Sequence, residues 1–326
     1  MSTVDYSVLI RTTGHAGKKY QALLTSISTL DPQPKEVIVV LPEGSDLPHE
    51  RLGWERFFFA PIGMVSQRVA GAGLCKTQYA LFCDDDISFD SDFVQQLYAP
   101  LREGFASFSV SPLYSFLPNK GPMAILCTLM ASAMPALLHK KNRYISILKS
   151  TGYSYNRKLD VSANTNYETQ SAPWCCFFAD ISAFCTLQLE KEVWLDAHGY
   201  AALDDQTMFY KAFLMGLKTV AVPHSSYVHL DAKTSALSGK PTALYSSTFN
   251  RVIFWHRFLY SRQKTSYSKL CTRLAFYYWI LCAQLWNLIS VLRRKLTPED
   301  FRTLTNGLSD GWKYLDSAEY SSLPPF

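Results

Sequence analysis

Charge is what this 326-residue chain has little of: Asp, Glu, Lys and Arg make up 18% of it, against roughly 25% in ordinary soluble domains. Acid is missing altogether from residues 104–159 and again from 232–298. The net charge of +5 is too small to indicate a nucleic-acid partner, but it suits a phosphate-bearing ligand or an anionic membrane. The eight cysteines include no CxxC pair, and Cys175 and Cys176 are adjacent, which excludes a disulfide scaffold and the usual zinc frameworks. Cys83, Cys127 and Cys282 stand in apolar stretches and are expected to be buried, reduced thiols, as in a cytoplasmic protein. No Gly-x-Ser-x-Gly or Cys/His pattern offers a covalent nucleophile. The chain does not open on a basic segment followed by an apolar one, so no secretory signal is expected.

What is present is an alternation of strand and helix signals over the first hundred residues. Residues 5–10 (DYSVLI) form a strand ending in the turn RTTG, and residues 18–30 carry Tyr20, Leu23, Leu24, Ile27 and Leu30 at helical spacing. Residues 35–41 (KEVIVVL) are a continuous apolar run, as expected of a strand covered on both faces. A short strand at 57–60, a helix at 64–76 and a buried strand at 79–83 follow, and further strands are expected at 171–184 and 218–222. This rhythm implies an α/β fold with a mainly parallel, doubly wound sheet flanked by helices. In such sheets ligands bind beyond the carboxyl ends of strands, where the RTTG turn, Glu43 and Asp84-Asp85-Asp86 all fall.

Three adjacent carboxylates repel one another unless a cation neutralises them. Oxygen ligands favour a hard ion, Mn²⁺ or Mg²⁺, which in turn bridges to phosphate oxygens. The bland alternative is a solvated turn capping the next helix, since Asp90, Ser91 and Asp92 precede FVQQLYAPL.

The order of features around the triplet, SQRVAGAGLCKTQYALFCDDD, resembles the nucleotide-sugar segment of family 2 glycosyltransferases of the GT-A fold. There an RN-x-G helix precedes a strand ending in DxD. Arg68 matches the arginine, Gly71 the glycine, and Asp84 and Asp86 the outer acids, while Val69 replaces the asparagine. The opening SVLIRTTGH is similar to the family's SVIIPTYNR, with Thr12 at the threonine and Arg11 in place of proline. VVLPEGS departs from the family's VVDDGS and leaves Glu43 as the stand-in for the acid that contacts the base. Residues 199–216 look like the family's GEDxDLxxRLxxxG segment, with Asp204, Asp205, Lys211 and Gly216 at its Glu, Asp, Arg and Gly.

The resemblance implies an inverting transfer from a nucleotide-diphosphate sugar, most commonly a UDP-sugar. Thr12, Glu43, Arg68, Asp84 and Asp85 would bind the donor, and Asp86, with His229, would hold the metal. Asp205 would be the general base toward the acceptor hydroxyl, with Asp204 and Trp174 on the acceptor side. Beside these roles stand simpler ones: Asp204 and Asp205 as helix caps, and His229 and Trp174 as core residues. Two readings of other kinds also stay open, an inactive sugar-nucleotide-binding or membrane scaffold and a nucleotidyltransferase. The second expects a Gly-rich phosphate loop, and RTTGHAGKK holds only Gly14 and Gly17.

Residues 274–292 (LAFYYWILCAQLWNLISVL) are about long enough to span a bilayer. Basic residues at both ends argue against a simple crossing and for a helix lying in an anionic interface. A buried helix of a soluble fold is the other alternative. Residues 122–138 are a shorter apolar run broken by Pro135. The expected organisation is a donor-binding half at 1–103 and a basic apolar insertion at 104–160. A half with the acceptor site and base follows at 161–235, then a basic helical region at 236–326. The expected protein is cytoplasmic and held at the membrane surface, with a saccharide or lipid-linked acceptor from surface polysaccharide or glycolipid synthesis.

Overall fold

In the computed structural model, residues 4–112, 121–130, 143–156, 159–160, 165–231 and 239–326 are described. Pro135 and the basic residues Lys120, Lys140, Lys141, Arg157 and Lys158 lie outside them.

The first half alternates as its apolar pattern requires: β1 (Tyr6–Arg11), α1 (Lys18–Ser28), β2 (Glu36–Pro42), β3 (Arg56–Ala60), α2 (Met64–Leu74) and β4 (Tyr79–Asp84). After these come β5 (Ile87–Phe89), α3 (Phe93–Arg102), β6 (Phe108–Val110) and α4 (Pro122–Met130). The middle of the chain adds β7 (Ile145–Ile147), β8 (Ser154–Asn156), β9 (Tyr167–Thr169), β10 (Cys176–Asp180), α5 (Ile181–Thr186) and α6 (Asp204–Leu214). Then come β11 (Thr219–Ala221) and β12 (Tyr227–His229), and the chain finishes in helices α7 (Gly239–Trp255), α8 (Ser266–Leu292), α9 (Pro298–Leu315) and α10 (Ala318–Ser322).

Eight strands form one sheet in the order β3-β2-β1-β4-β10-β6-β11-β9. β3, β2, β1 and β4 run parallel. β10 enters antiparallel between β4 and β6, so the second half of the sheet is mixed. The strand expected over 171–184 is shorter than its apolar run: it ends at Asp180, whose side chain accepts from Ala183 N and caps α5. Buried side chains cover both faces of the central strands, with Phe82 and Phe177 stacked at 4.4 Å on one and Tyr6 against Phe178 on the other.

The C-terminal helices are bound to this core rather than appended to it. A Cβ on Gly307 of α9 would sit 2.3 Å from the Tyr245 carbonyl oxygen, and one on Gly311 3.0 Å from that of Phe249. Two glycines one turn apart thus let α9 and α7 approach backbone to backbone. Trp255, at the end of α7, stacks on Phe276 of α8 at 4.2 Å. Beneath α6 the Glu192 side chain is fully buried and accepts from Lys211 Nζ (2.7 Å) and Trp194 Nε1 (2.9 Å). It also meets Arg257 Nε at 2.7 Å, and Arg257 in turn donates to the Pro324 carbonyl near the chain end.

α8 is the one helix among the described residues long and apolar enough to cross a membrane, yet only 6% of its most apolar stretch is buried. The reading of 274–292 as a buried helix therefore fails. Cys83 is buried as expected, whereas Cys282 on α8 is only half-buried, because its helix presents most of its surface outward.

Candidate functional site

The strand order reverses direction of growth at β1 and β4, and the carboxyl ends of these neighbours bring Arg11 opposite Asp84. This is the switch point at which open α/β sheets bind ligands. The three aspartates there have different surroundings. Asp84 Oδ1 accepts from Arg68 Nη2 at 2.6 Å and from Arg11 Nε at 3.1 Å. Asp85 is 1% exposed and accepts from Thr12 Oγ1 at 2.5 Å. Burial pushes its carboxyl up to about 6, against the opposing effects of Arg11 and Thr12. Asp86 Oδ1 lies 3.3 Å from His229 Nε2, and the Asp86 carbonyl accepts from Leu230 N at 2.7 Å. The β5–β12 ladder, pairing Ile87 with His229, sets that meeting. The hydrogen bond to Asp86 holds the His229 imidazole above its usual range, against the effect of burial.

Helix α2 supplies the arginine. Gly71 allows it to lie close to the sheet, since a Cβ there would meet Val40 Cγ2 at 3.3 Å. Its first turn is capped from far away in sequence: Asp196 accepts from Val65 N (3.2 Å), Ser66 N (2.9 Å) and Ser66 Oγ (2.8 Å). Arg68, with its side chain 3% exposed, packs its guanidinium 4.3 Å from the Trp174 ring centre and reaches Asp204 Oδ2 at 3.8 Å. Trp174 is itself 4% exposed, so in this arrangement its ring supports Arg68 instead of lining an open surface.

Arg68 thus joins the aspartate triplet to the start of α6. Leu203 there adopts a left-handed conformation (φ 68°), and the helix ends with Gly216 at φ +81°, as a C-terminal glycine allows. Asp204 Oδ1 accepts from Asp205 N at 2.7 Å and Asp205 Oδ1 from Gln206 N at 2.5 Å. Local capping leaves Asp204 Oδ2 buried without a hydrogen bond. Burial, then the charge of Asp205, pushes the Asp204 carboxyl up to about 8. Burial also raises Asp205, against its hydrogen bond from Gln206 N and the charges of Arg251 and Arg68. Lys211 faces away from this pair, to Glu192.

A cleft of about 340 Å³ opens beside these groups, lined by Arg11, Thr13, Glu43, Gly63, Gln67 and Tyr200 among others. Thr13 Oγ1 is buried there without a hydrogen-bond partner. Glu43 is exposed on the rim, its N–H donating to the Ala60 carbonyl at 2.8 Å. Gln67 Nε2 bridges the ends of β1 and β2 by donating to the carbonyls of Thr12 (3.1 Å) and Val40 (2.8 Å).

The structure therefore gathers Thr12, Arg68, Asp84, Asp85, Asp86, His229 and Asp204 into one network, with Asp205 adjoining it, Glu43 at the cleft rim and Trp174 underneath. Gln67, Asp196 and Tyr200 match no motif in the sequence, and Arg11 shows there only as a replaced proline. A basic residue ending a strand beside an Asp triplet was the available signal for Arg11. Asp196, more than a hundred residues from the helix it caps, gave none.

No family model matches the sequence, and no curated protein does. Solved structures do match in shape. A structure of GalNAc-T7 with UDP, GalNAc and Mn²⁺ superposes with a TM-score of 0.54 at 13% identity over 86% of this chain, which spans 56% of that one. Residues 1–349 of TarS from S. aureus, in complex with UDP-GlcNAc, give a TM-score of 0.51 at 12% identity, covering 94% of this chain and 80% of that one. At such identities the likeness is one of architecture. This chain has the mixed α/β fold of GT-A glycosyltransferases, extended by C-terminal helices.

Proposed function

We propose that the protein transfers a sugar from a nucleotide-diphosphate sugar to an acceptor hydroxyl, with inversion, as the family 2 resemblance implies. The observation that carries this reading is the placement of two acidic groups, Asp84–Asp86 and Asp204–Asp205, around one buried arginine at the sheet's switch point. A scaffold would have no use for a second carboxylate pair held at raised pKa. The nucleotide would occupy the cleft between β1, β2 and α2, with Glu43 at its rim and the unpartnered Thr13 hydroxyl inside. UDP is the favoured nucleotide because structures of similar fold, those of GalNAc-T7 and TarS, hold UDP or UDP-GlcNAc.

Among the described residues no cluster of three or more His, Cys, Asp or Glu would hold a cation unaided. The Asp86 carboxylate and the His229 imidazole would hold a hard divalent ion, Mn²⁺ or Mg²⁺. Such an ion supplies charge for the departing diphosphate. Arg68 and Arg11 position Asp84 and add fixed positive charge where that anion develops. Asp205, ionised, accepts the proton of the acceptor hydroxyl as its oxygen attacks the anomeric carbon. Asp204, protonated below about pH 8, avoids placing a second negative charge beside it.

Calorimetric titration of UDP, GDP and dTDP, with Mn²⁺ and then with EDTA, tests the reading, with Asp86→Ala as control. Metal-dependent binding of one nucleotide that the substitution abolishes is expected. Absence of binding by any of the three to folded protein would overturn it.

A further inference from the structure

Outside the donor cleft, an extended apolar surface runs along α8 and α4. Leu270, Leu274, Tyr277, Leu281, Leu285 and Leu288 recur along α8 at spacings of three and four and are all exposed. Met123, Ile125, Leu126 and Leu129 of α4 are exposed as well. Between the two helices runs a groove of about 290 Å³ lined by Met123, Leu126, Trp279, Ala283 and Trp286, with Tyr153 also on its wall.

A chain of side-chain contacts leads from the groove's Trp279 toward the candidate base. The Arg251 guanidinium lies 5.4 Å from the Trp279 ring centre and donates to the Gly152 carbonyl at 3.0 Å. The same carbonyl accepts from Gln206 Nε2 at 2.9 Å, and Gln206 is the neighbour of Asp205. Arg251 therefore stands between the Asp205 carboxylate and the apolar groove. The charges at the ends of α8 narrow the choice of occupant. Lys264, Lys269 and Arg273 at one end and Arg293, Arg294 and Lys295 at the other are exposed, and residues 232–298 contain no acid. A second copy packed on α8, parallel or antiparallel, would set like charges together. A phosphate-bearing lipid would satisfy both the bases and the apolar face.

We infer that the α4–α8 groove holds the hydrocarbon chain of a lipid-phosphate-linked acceptor, with its phosphate at Arg251 and its hydroxyl directed to Asp205. This rests on the glycosyltransferase reading and adds the acceptor's class. The α8 face would then lie in the membrane surface from which the acceptor is drawn.

The test is co-sedimentation of the full chain with phosphatidylcholine vesicles containing farnesyl monophosphate or farnesol, or undoped with inorganic phosphate in solution. Binding at least tenfold tighter to the farnesyl monophosphate vesicles is expected. Arg251→Met should reduce it to the farnesol level, and Ala283→Phe should remove the preference by filling the groove. Leu126→Asp, at an exposed position, serves if Ala283→Phe lacks a native circular dichroism spectrum. Equal binding to all three preparations overturns the inference, as does a dimer in sedimentation velocity that Ala283→Phe dissolves. UDP titration of the same samples separates the two readings. Nucleotide binding without a lipid-phosphate preference overturns the groove assignment and leaves the transferase. A lipid-phosphate preference without nucleotide binding overturns the acceptor role.

Discussion

Arg68→Met keeps much of the side chain's volume and removes its charge. Asp84 would retain Arg11, while Asp204 would lose the one basic group within 4 Å of it among the described residues. Breaking a buried ion pair from one side costs about 3–5 kcal/mol, and Arg11's remaining contact puts this case near the lower figure. The lost contact with Trp174 adds about 1 kcal/mol. The resulting loss of about 4 kcal/mol corresponds to a Tm lower by about 6 °C in a chain of this size. The pH dependence has a definite sign. The Asp204 carboxyl is pushed from 3.8 in a free side chain to about 8 in the fold, so the native protein holds an extra proton between those values. Its contribution to stability is full below about pH 4 and declines as pH rises toward 8. Without Arg68 the folded value moves higher still, so the decline continues past pH 8 in the variant. The deficit of Arg68→Met should therefore be larger at pH 9 than at pH 6, in thermal and urea melts followed by circular dichroism. A loss below about 1 kcal/mol, or an equal loss at both pH values, would refute the arginine's role as the joint between the two acidic groups.

If Asp86 and His229 hold the cation, Asp86→Ala should abolish Mn²⁺-dependent nucleotide binding, and His229→Ala should weaken it by about tenfold or more, both read by calorimetry. The acid limb of kcat/KM should lie above the free carboxylate range of about 4, because burial raises Asp205. Arg251→Met should move that limb higher, since Arg251 favours the ionised form; a pH–rate profile with an unmoved limb would count against Asp205 as base. Gly307→Leu should destabilise the protein by at least about 1–3 kcal/mol, because the new side chain meets the Tyr245 carbonyl, and chemical denaturation would show it.

Continuous apolar runs such as VIVV and ALFC, bounded by turn signals, are those of strands covered on both faces, which makes the parallel half of the sheet legible in the sequence. The three-residue strands β5, β6, β9 and β12 carry too few side chains to show a period, and they exist because neighbouring strands complete their hydrogen bonds. The mixed direction of β10 was hidden for the same reason: an apolar run states burial, not polarity. The site divided similarly. Arg68, the aspartate triplet and the Asp204–Asp205 pair could be found from order and spacing. Gln67 and Asp196 act through backbone carbonyls and N–H groups of distant segments, and residue identity alone does not announce such contacts. Trp174 was legible as an aromatic near the site, but which face it would present depended on where Arg68 folded.

The buried Glu192 has a practical consequence for anyone seeking a more soluble form of the protein. Its carboxylate is shared between Lys211 on the helix that begins with Asp204 and Arg257 beyond α7, and Arg257 also grips the chain's last residues. Cutting the chain before α7 to remove the exposed apolar helix would delete one of the two cations and leave the anion half-neutralised inside the protein. Substituting the outward leucines of α8 with polar residues would reach the same end while leaving that shared charge intact.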